Sequence, residues 1–222
     1  MGIQLPRWVW VGGGVLACVA GMVNVAGVLG FEHQALTHLT GTATLLGAAV
    51  CAGRPLVALQ LSGVIAAYVA GAMLSGAIVQ GSSLRLGRRY GVVLSIESAL
   101  LFAAVPLLRH QPMLGGCVAA MAMGLQNAMA TTFSGAVLRT THLTGMFTDL
   151  GIGLGHALRG QDVPRRRILL SALVICGFLA GALLGALLYR HWGSRMLYLP
   201  AALTGAAGGG YALYRQWRPF SD

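Results

Sequence analysis

Residues 8–31, 55–81 and 113–135 contain no charged side chain. Three further apolar runs, 90–109, 168–190 and 196–215, hold a single charge in their interiors, Glu97. A helix of about 20 apolar residues crosses a hydrocarbon core of about 30 Å. In that medium every backbone N–H and C=O must be bonded within the protein, which a helix does by itself. The expectation is an all-α polytopic membrane protein, one transmembrane domain over residues 1–222.

Composition agrees. Of 222 residues, 56% are hydrophobic and 9% charged, with a mean hydropathy of +0.74. Soluble domains carry about 25% charged residues. The net charge of +10 does not point to nucleic acid. The arginines stand in short loops between apolar runs, where a positive-inside bias puts them. Cys18, Cys51, Cys117 and Cys176 all lie in apolar segments without metal-ligand spacing and read as small hydrophobes. Arg7 before an apolar run resembles a signal peptide, but the run continues to Phe31, so a retained first span is expected.

The chain also repeats itself. Thr37-His38-Leu39-Thr40-Gly41 recurs as Thr141-His142-Leu143-Thr144-Gly145, and eight of eleven positions match between 37–47 and 141–151. Upstream, Gly21-Met22-Val23-Asn24 faces Gly124-Leu125-Gln126-Asn127, with one extra residue before the second motif. Downstream, Ala70-Gly71-Ala72 faces Ala180-Gly181-Ala182. These matches define two internal repeats, at about 8–109 and 113–215. Gly63, Ala67, Gly71 and Ser75 recur every four residues, as do Gly177, Gly181 and Gly185. Such faces suit close helix packing, and could also join two copies in a homodimer.

Each motif opens a short segment. Thr40 and Thr144 suit an N-cap, and Gly53 and Gly160 suit the position just past a helix end. Helices over 41–52 and 145–159 would measure about 18 and 22 Å, too short to cross. If they re-enter rather than cross, Arg7, 85, 88, 89, 139, 159, 165, 166, 167, 215 and 218 share one side, and Arg54, 109, 190 and 195 the other. That eleven-to-four division is the better positive-inside pattern. It gives about six full spans plus two short re-entrant helices, in two inverted halves, with both termini cytoplasmic. Labelling of a cysteine at Gln34 from the cytoplasm alone would overturn it.

The chemistry-bearing residues cluster at the motifs. Unpaired N–H groups at a helix start attract anions, and Gly41 and Gly145 leave the backbone open to a ligand. His38, Thr40, His142 and Thr144 would line a site between the two helix starts, with Asn24, Gln126 and Asn127 adding donors and acceptors. Bonding between spans is the plainer use of those three amides. Asp149 and Glu97 are acids within membrane segments, costing roughly 2.5–3.5 kcal/mol on insertion scales, and could bind a coupling ion or proton. His142 or His156 is the expected partner of Asp149. No carboxylate pair, nucleophile elbow or phosphate loop suggests an enzyme, and no metal or cofactor is expected.

Gly21-x-x-Asn24, His38-Leu39-Thr40-Gly41, Gly124-Leu125-Gln126-Asn127-Ala128 and Thr140-Thr141-His142-Leu143-Thr144-Gly145 resemble the YoaK family of bacterial membrane proteins, a domain of unknown function. Asn24 stands where that family often has aspartate, and Thr42 where it often has asparagine. The resemblance implies the bacterial cytoplasmic (inner) membrane and supplies no substrate. The expected function is a small transporter or permease for a small polar or anionic solute, proton-coupled through Asp149 or Glu97. A channel of the same layout, or a membrane scaffold or sensor, are the alternatives.

Overall fold

The computed structural model of the chain describes residues 7–30, 35–79, 88–134 and 139–217, and every regular element in them is helical. Six helices are long: α1 (Arg7–Gly30), α3 (Pro55–Ile78), α4 (Arg88–His110), α5 (Pro112–Phe133), α7 (Arg165–Trp192) and α8 (Tyr198–Trp217). Two are short, α2 (Leu39–Cys51) and α6 (Leu143–Leu158), and a 3₁₀ turn (Gly193–Leu197) joins α7 to α8. Pro55 and Pro112 open α3 and α5, where a missing N–H costs nothing.

The chain is a polytopic all-α membrane protein. Five described stretches are long and apolar enough to cross a membrane, the last being the 46-residue run Arg165–Gly210. Unbroken, that run would extend about 69 Å, more than twice the core thickness of about 30 Å. Gly193, at φ +56 and ψ −141, breaks it into α7 and α8. Arg165, Arg166 and Arg167 fall in the first turn of α7 rather than in a loop. Residues 31–34, with Glu32, and 80–87, with Arg85, lie outside the described residues.

Buried clusters give the direction of each helix. One joins Leu16 in the first half of α1 with Ile78 and Val79 at the end of α3, Tyr90 and Val93 early in α4, and Leu125 and Met129 late in α5. Another joins Val23 and Ala26 late in α1 with Val64 of α3, Leu101 and Val105 late in α4, Ala119 and Ala120 early in α5, and Leu197 and Ala201 where α8 begins. Thus α1 and α4 run one way, and α3, α5 and α8 the other. Gly177 of α7 lies by Gly14 and Ala17, and Gly185 by Met22, so α7 runs alongside α1 in the same direction. Long helices one to three go up, down, up. The next three go down, up, down.

The tightest contacts repeat too. A Cβ on Gly21 would strike the backbone of Phe178 and Ala182, and one on Gly181 would strike the Cys18 carbonyl. In the other pair, Gly124 lies on the Tyr68 carbonyl and Gly71 on Met121 and Leu125. Gly21 matches Gly124, and Gly71 matches Gly181, in the sequence repeat. The α1–α7 and α3–α5 contacts are therefore one interface made twice, each half lending its third helix to the other half's first. In lipid, where apolar side chains gain little by leaving the solvent, such backbone approach is a main source of cohesion. It also occupies the small-residue faces within one chain, so a homodimer would need other surface. Cys18 and Cys117 are partly buried at these contacts, whereas Cys51 and Cys176 lie on the outside of the bundle.

Candidate functional site

Neither short helix crosses. α1 ends and α3 begins at the same end of the bundle, and α2 lies between them in the chain. The start of α2 is held inside. Asn24 Oδ1 accepts from the Thr37 amide at 3.2 Å and the Thr37 hydroxyl at 2.8 Å. Asn24 stands about 9 Å short of the end of α1 at 1.5 Å per residue. The chain therefore dips inward, and the 13 residues of α2 carry it out again. Gly53, at φ +64, and Pro55 turn it into α3. The second half does this from the opposite end. Gln126, about 10 Å short of the end of α5, donates through Nε2 to the Thr140 hydroxyl at 3.0 Å, and α6 leads outward over 16 residues.

The helix starts differ from expectation in one respect. Both helices begin two residues early, and the N-cap residues are His38 and His142, not Thr40 and Thr144. His38 Nδ1 accepts from the Gly41 amide at 3.3 Å, as a serine or aspartate oxygen would in that position. The His142 ring lies where a side chain on Gly145 would stand. The glycines therefore make room for the motif's own histidine, which covers the first turn that a ligand would have to reach. Thr40 and Thr144 are exposed, and their carbonyls accept from Thr44 and Thr148 at 2.9 Å each. Thr42 closes the first motif by donating to the Ala35 carbonyl at 3.3 Å.

At the level of the second tip lies a buried polar layer. Gln126 is 0% exposed and spends both Nε2 hydrogens, on Thr140 and on the Leu16 carbonyl of α1 at 3.0 Å. Among the described residues nothing donates to its Oε1 or to Oδ1 of Asn127. Glu97 is 0% exposed, and no donor or cation reaches either carboxyl oxygen among the described residues. Val93 and Leu101, one turn to either side, pack with α5 residues from 129 back to 119, which puts Glu97 at the level of Gln126. Four buried acceptor oxygens without donors, on three side chains, are unusual, since buried polar groups are normally satisfied.

The structure does not gather all the expected residues into one pocket. Asn24 marks the depth of the first tip on α1, and Leu16 that of the second. These levels are about 12 Å apart along the helix. α2 lies against α3, and α6 against α7. The sequence-derived site is thus two tips, Asn24–Thr37–His38–Gly41 and Gln126–Thr140–His142–Gly145, with Glu97 at the level of the second. Thr37 and Thr140 were not singled out as ligands or anchors. Thr37 stands one residue, and Thr140 two residues, before the capping histidine.

Asp149 sits elsewhere. Its carboxylate pairs with Arg167 of α7 at 2.8 Å, not with His142 or His156, and His156 is exposed. The pair clips α6 to α7. In the first repeat the matching positions are Leu45 and Val57, which line a cavity of about 420 Å³ with Ala48, Ala49, Ala52 and Leu61, Arg54 standing at its wall. The two halves therefore hold their short helices differently, one by an ion pair and one across an apolar gap.

Comparison with known proteins gives a family without an activity. The family model described as "Protein of unknown function (DUF1275)" matches residues 13–209. The UPF0700 transmembrane protein RA0705 of Rhizobium meliloti (strain 1021) is 32% identical over 141 residues. That alignment covers 58% of this chain and 60% of the relative. No solved structure matches.

Proposed function

The chain belongs to the DUF1275 family, and on that footing we propose that it is a small transporter moving a small polar or anionic solute across the bacterial cytoplasmic membrane. One observation carries the reading: two short helices dip in from opposite ends of the bundle, their starts anchored inside by Asn24 and by Gln126. Paired half-helices in inverted halves are the usual framework of alternating access, with the solute site near the midplane. Helix starts offer N–H groups and a positive dipole end to an anionic or hydrogen-bonding solute.

In this reading His38 and His142 are the movable covers. Each ring shields the first turn of its own helix, and a ligand reaches Gly41 or Gly145 once the ring swings aside. Thr37, Thr140 and the unmet amide oxygen of Asn127 complete the lining. Asp149, tied to Arg167, holds α6 in place, which leaves Glu97 as the coupling acid. The arginine-rich end, with Arg89, Arg139, Arg159 and Arg165–Arg167, faces the cytoplasm, and both termini with it.

The test is a thermal-shift panel of small anions and polar metabolites on the purified protein, at two pH values, followed by uptake of any hit into proteoliposomes. A hit should stabilise the native protein, lose most of its effect in His38→Ala and His142→Ala, and show saturable uptake. Uptake unchanged in His142→Ala would remove the motif from the pathway. Flux that rises without saturation would replace the transporter by a channel.

A further inference from the structure

The layer holding Glu97 and Gln126 has more acceptors than donors, and that imbalance has a simple remedy. We propose that Glu97 is a proton-binding site whose O–H donates to Gln126 Oε1, and that the proton thereby controls the anchorage of the second re-entrant tip. The inference concerns proton binding and holds whether or not a solute crosses.

The first support is the absence of any other neutralising group among the described residues. Against α4 lie α5, α8, α3 and the 3₁₀ turn. α5 and α3 carry no charged side chain, only Cys117 and Tyr68 as titratable groups. On α8, Tyr198 stands against the Phe102 ring, more than one turn along α4 from Glu97, and Arg195 of the turn is exposed. Arg215 belongs to the last turn of α8, away from this layer. From α1 the nearest titratable group along the core is Cys18. A bare carboxylate here would be buried without a counter-charge, whereas the neutral acid needs only hydrogen-bond partners.

The second support is stoichiometry. Leu16 O can only accept, so the Gln126 amide must turn its NH₂ toward it, which fixes Oε1 on the other side. Protonated Glu97 has one O–H to give, and Gln126 Oε1 has no donor among the described residues. A metal cation would need a shell of several oxygens. Asn127 Oδ1 is unmet as well, but it projects about 100° round α5 from Gln126 and cannot complete such a shell.

The third support is the rearrangement that loss of the proton would force. Ionised Glu97 can only accept. To satisfy it, the Gln126 amide must rotate its NH₂ toward the carboxylate, which gives up the bond to Leu16 and leaves Thr140 only a reversed bond, its hydroxyl donating to Oε1. Thr140 stands immediately before the second motif, so deprotonation loosens the tip of α6 while the Asp149–Arg167 clip still holds its shaft. The proton exchanges with water as it is bound and released, and no other group changes charge.

Infrared titration of the full chain in lipid nanodiscs reads the proton directly. The expected result at neutral pH is a carboxylic C=O band that Glu97→Gln abolishes and that Gln126→Leu moves to the position of a free acid. Release of the tip is read by maleimide labelling of Arg139→Cys in a chain with its four cysteines replaced, normalised to Arg159→Cys to remove the thiol's own pH dependence. Labelling should rise on alkalinisation in the parent and stay flat in Glu97→Gln. The proposal fails if no carboxylic band at neutral pH belongs to Glu97. It also fails if sodium removes the band at fixed pH, if Gln126→Leu leaves the band unmoved, or if the normalised labelling rises equally in Glu97→Gln.

Discussion

Asn24 Oδ1 accepts two hydrogen bonds from Thr37, one from its amide and one from its hydroxyl, and so fixes how deep the first re-entrant segment reaches. Thr37 is buried, so removing the acceptor strands both donors. Asn24→Ala should lower stability by about 1–3 kcal/mol, the usual cost of leaving buried donors unmet. Asn24→Asp keeps an acceptor and should recover most of the loss. Thermal unfolding in detergent compares the three. Equal losses for Ala and Asp would mean that Asn24 acts through its NH₂ group or its bulk, not through Oδ1.

The glycines divide by what stands over them. Gly21, Gly71, Gly124 and Gly181 each face the backbone of a partner helix, which cannot retreat without separating the helices. An alanine there should destabilise by about 1–3 kcal/mol or more, the usual cost of overpacking. Gly12 and Gly76 have nothing within 4 Å, and alanine there should be neutral or stabilise by about 0.5–1 kcal/mol through helix propensity. Paired unfolding curves decide it. If Gly21→Ala and Gly71→Ala behave like Gly12→Ala, the close contacts are not what holds the bundle together.

Much of this layout could be read from residue order because lipid restricts the choices. Apolar runs must be helices, so their lengths separated the crossing elements from the short ones. Gly53 and Gly160 ended the short helices with positive φ, as expected. The small-residue faces were legible, but which helix each face meets was not, because both partners carry the same pattern. Thr40 and Thr144 drew the N-cap assignment by residue type. The histidine two places earlier took the role because its ring can fold over a glycine three residues on. The pairing of Gln126 with Thr140 was hidden by the repeat itself. Aligning Asn24 with Asn127 points to Thr141, but the extra residue before the second motif moves the bond to neighbouring positions. Arg167 was lost among three successive arginines, and only the packing of α6 on α7 selects it.

The last prediction concerns the difference between the halves. Asp149 and Arg167 are 31% and 63% exposed, so their pair should couple by only about 0.2–1 kcal/mol in a double-mutant cycle. The matching Leu45 and Val57 face an apolar cavity. Leu45→Asp alone would place an acid in a membrane segment, at up to about 2.5–3.5 kcal/mol on insertion scales, relieved only as far as Arg54 at the same cavity reaches it. Adding Val57→Arg should recover a good part of that loss if the two halves hold equivalent geometry, since α2 lies on α3 as α6 lies on α7. Val57→Arg alone should not stabilise. The cycle is measured by thermal unfolding of the four proteins. Rescue would establish that the repeats are interchangeable at this joint and that the first half has kept its short helix unclipped. No rescue would mean that the helices meet at different angles in the two halves, and that the sequence repeat overstates the structural one here.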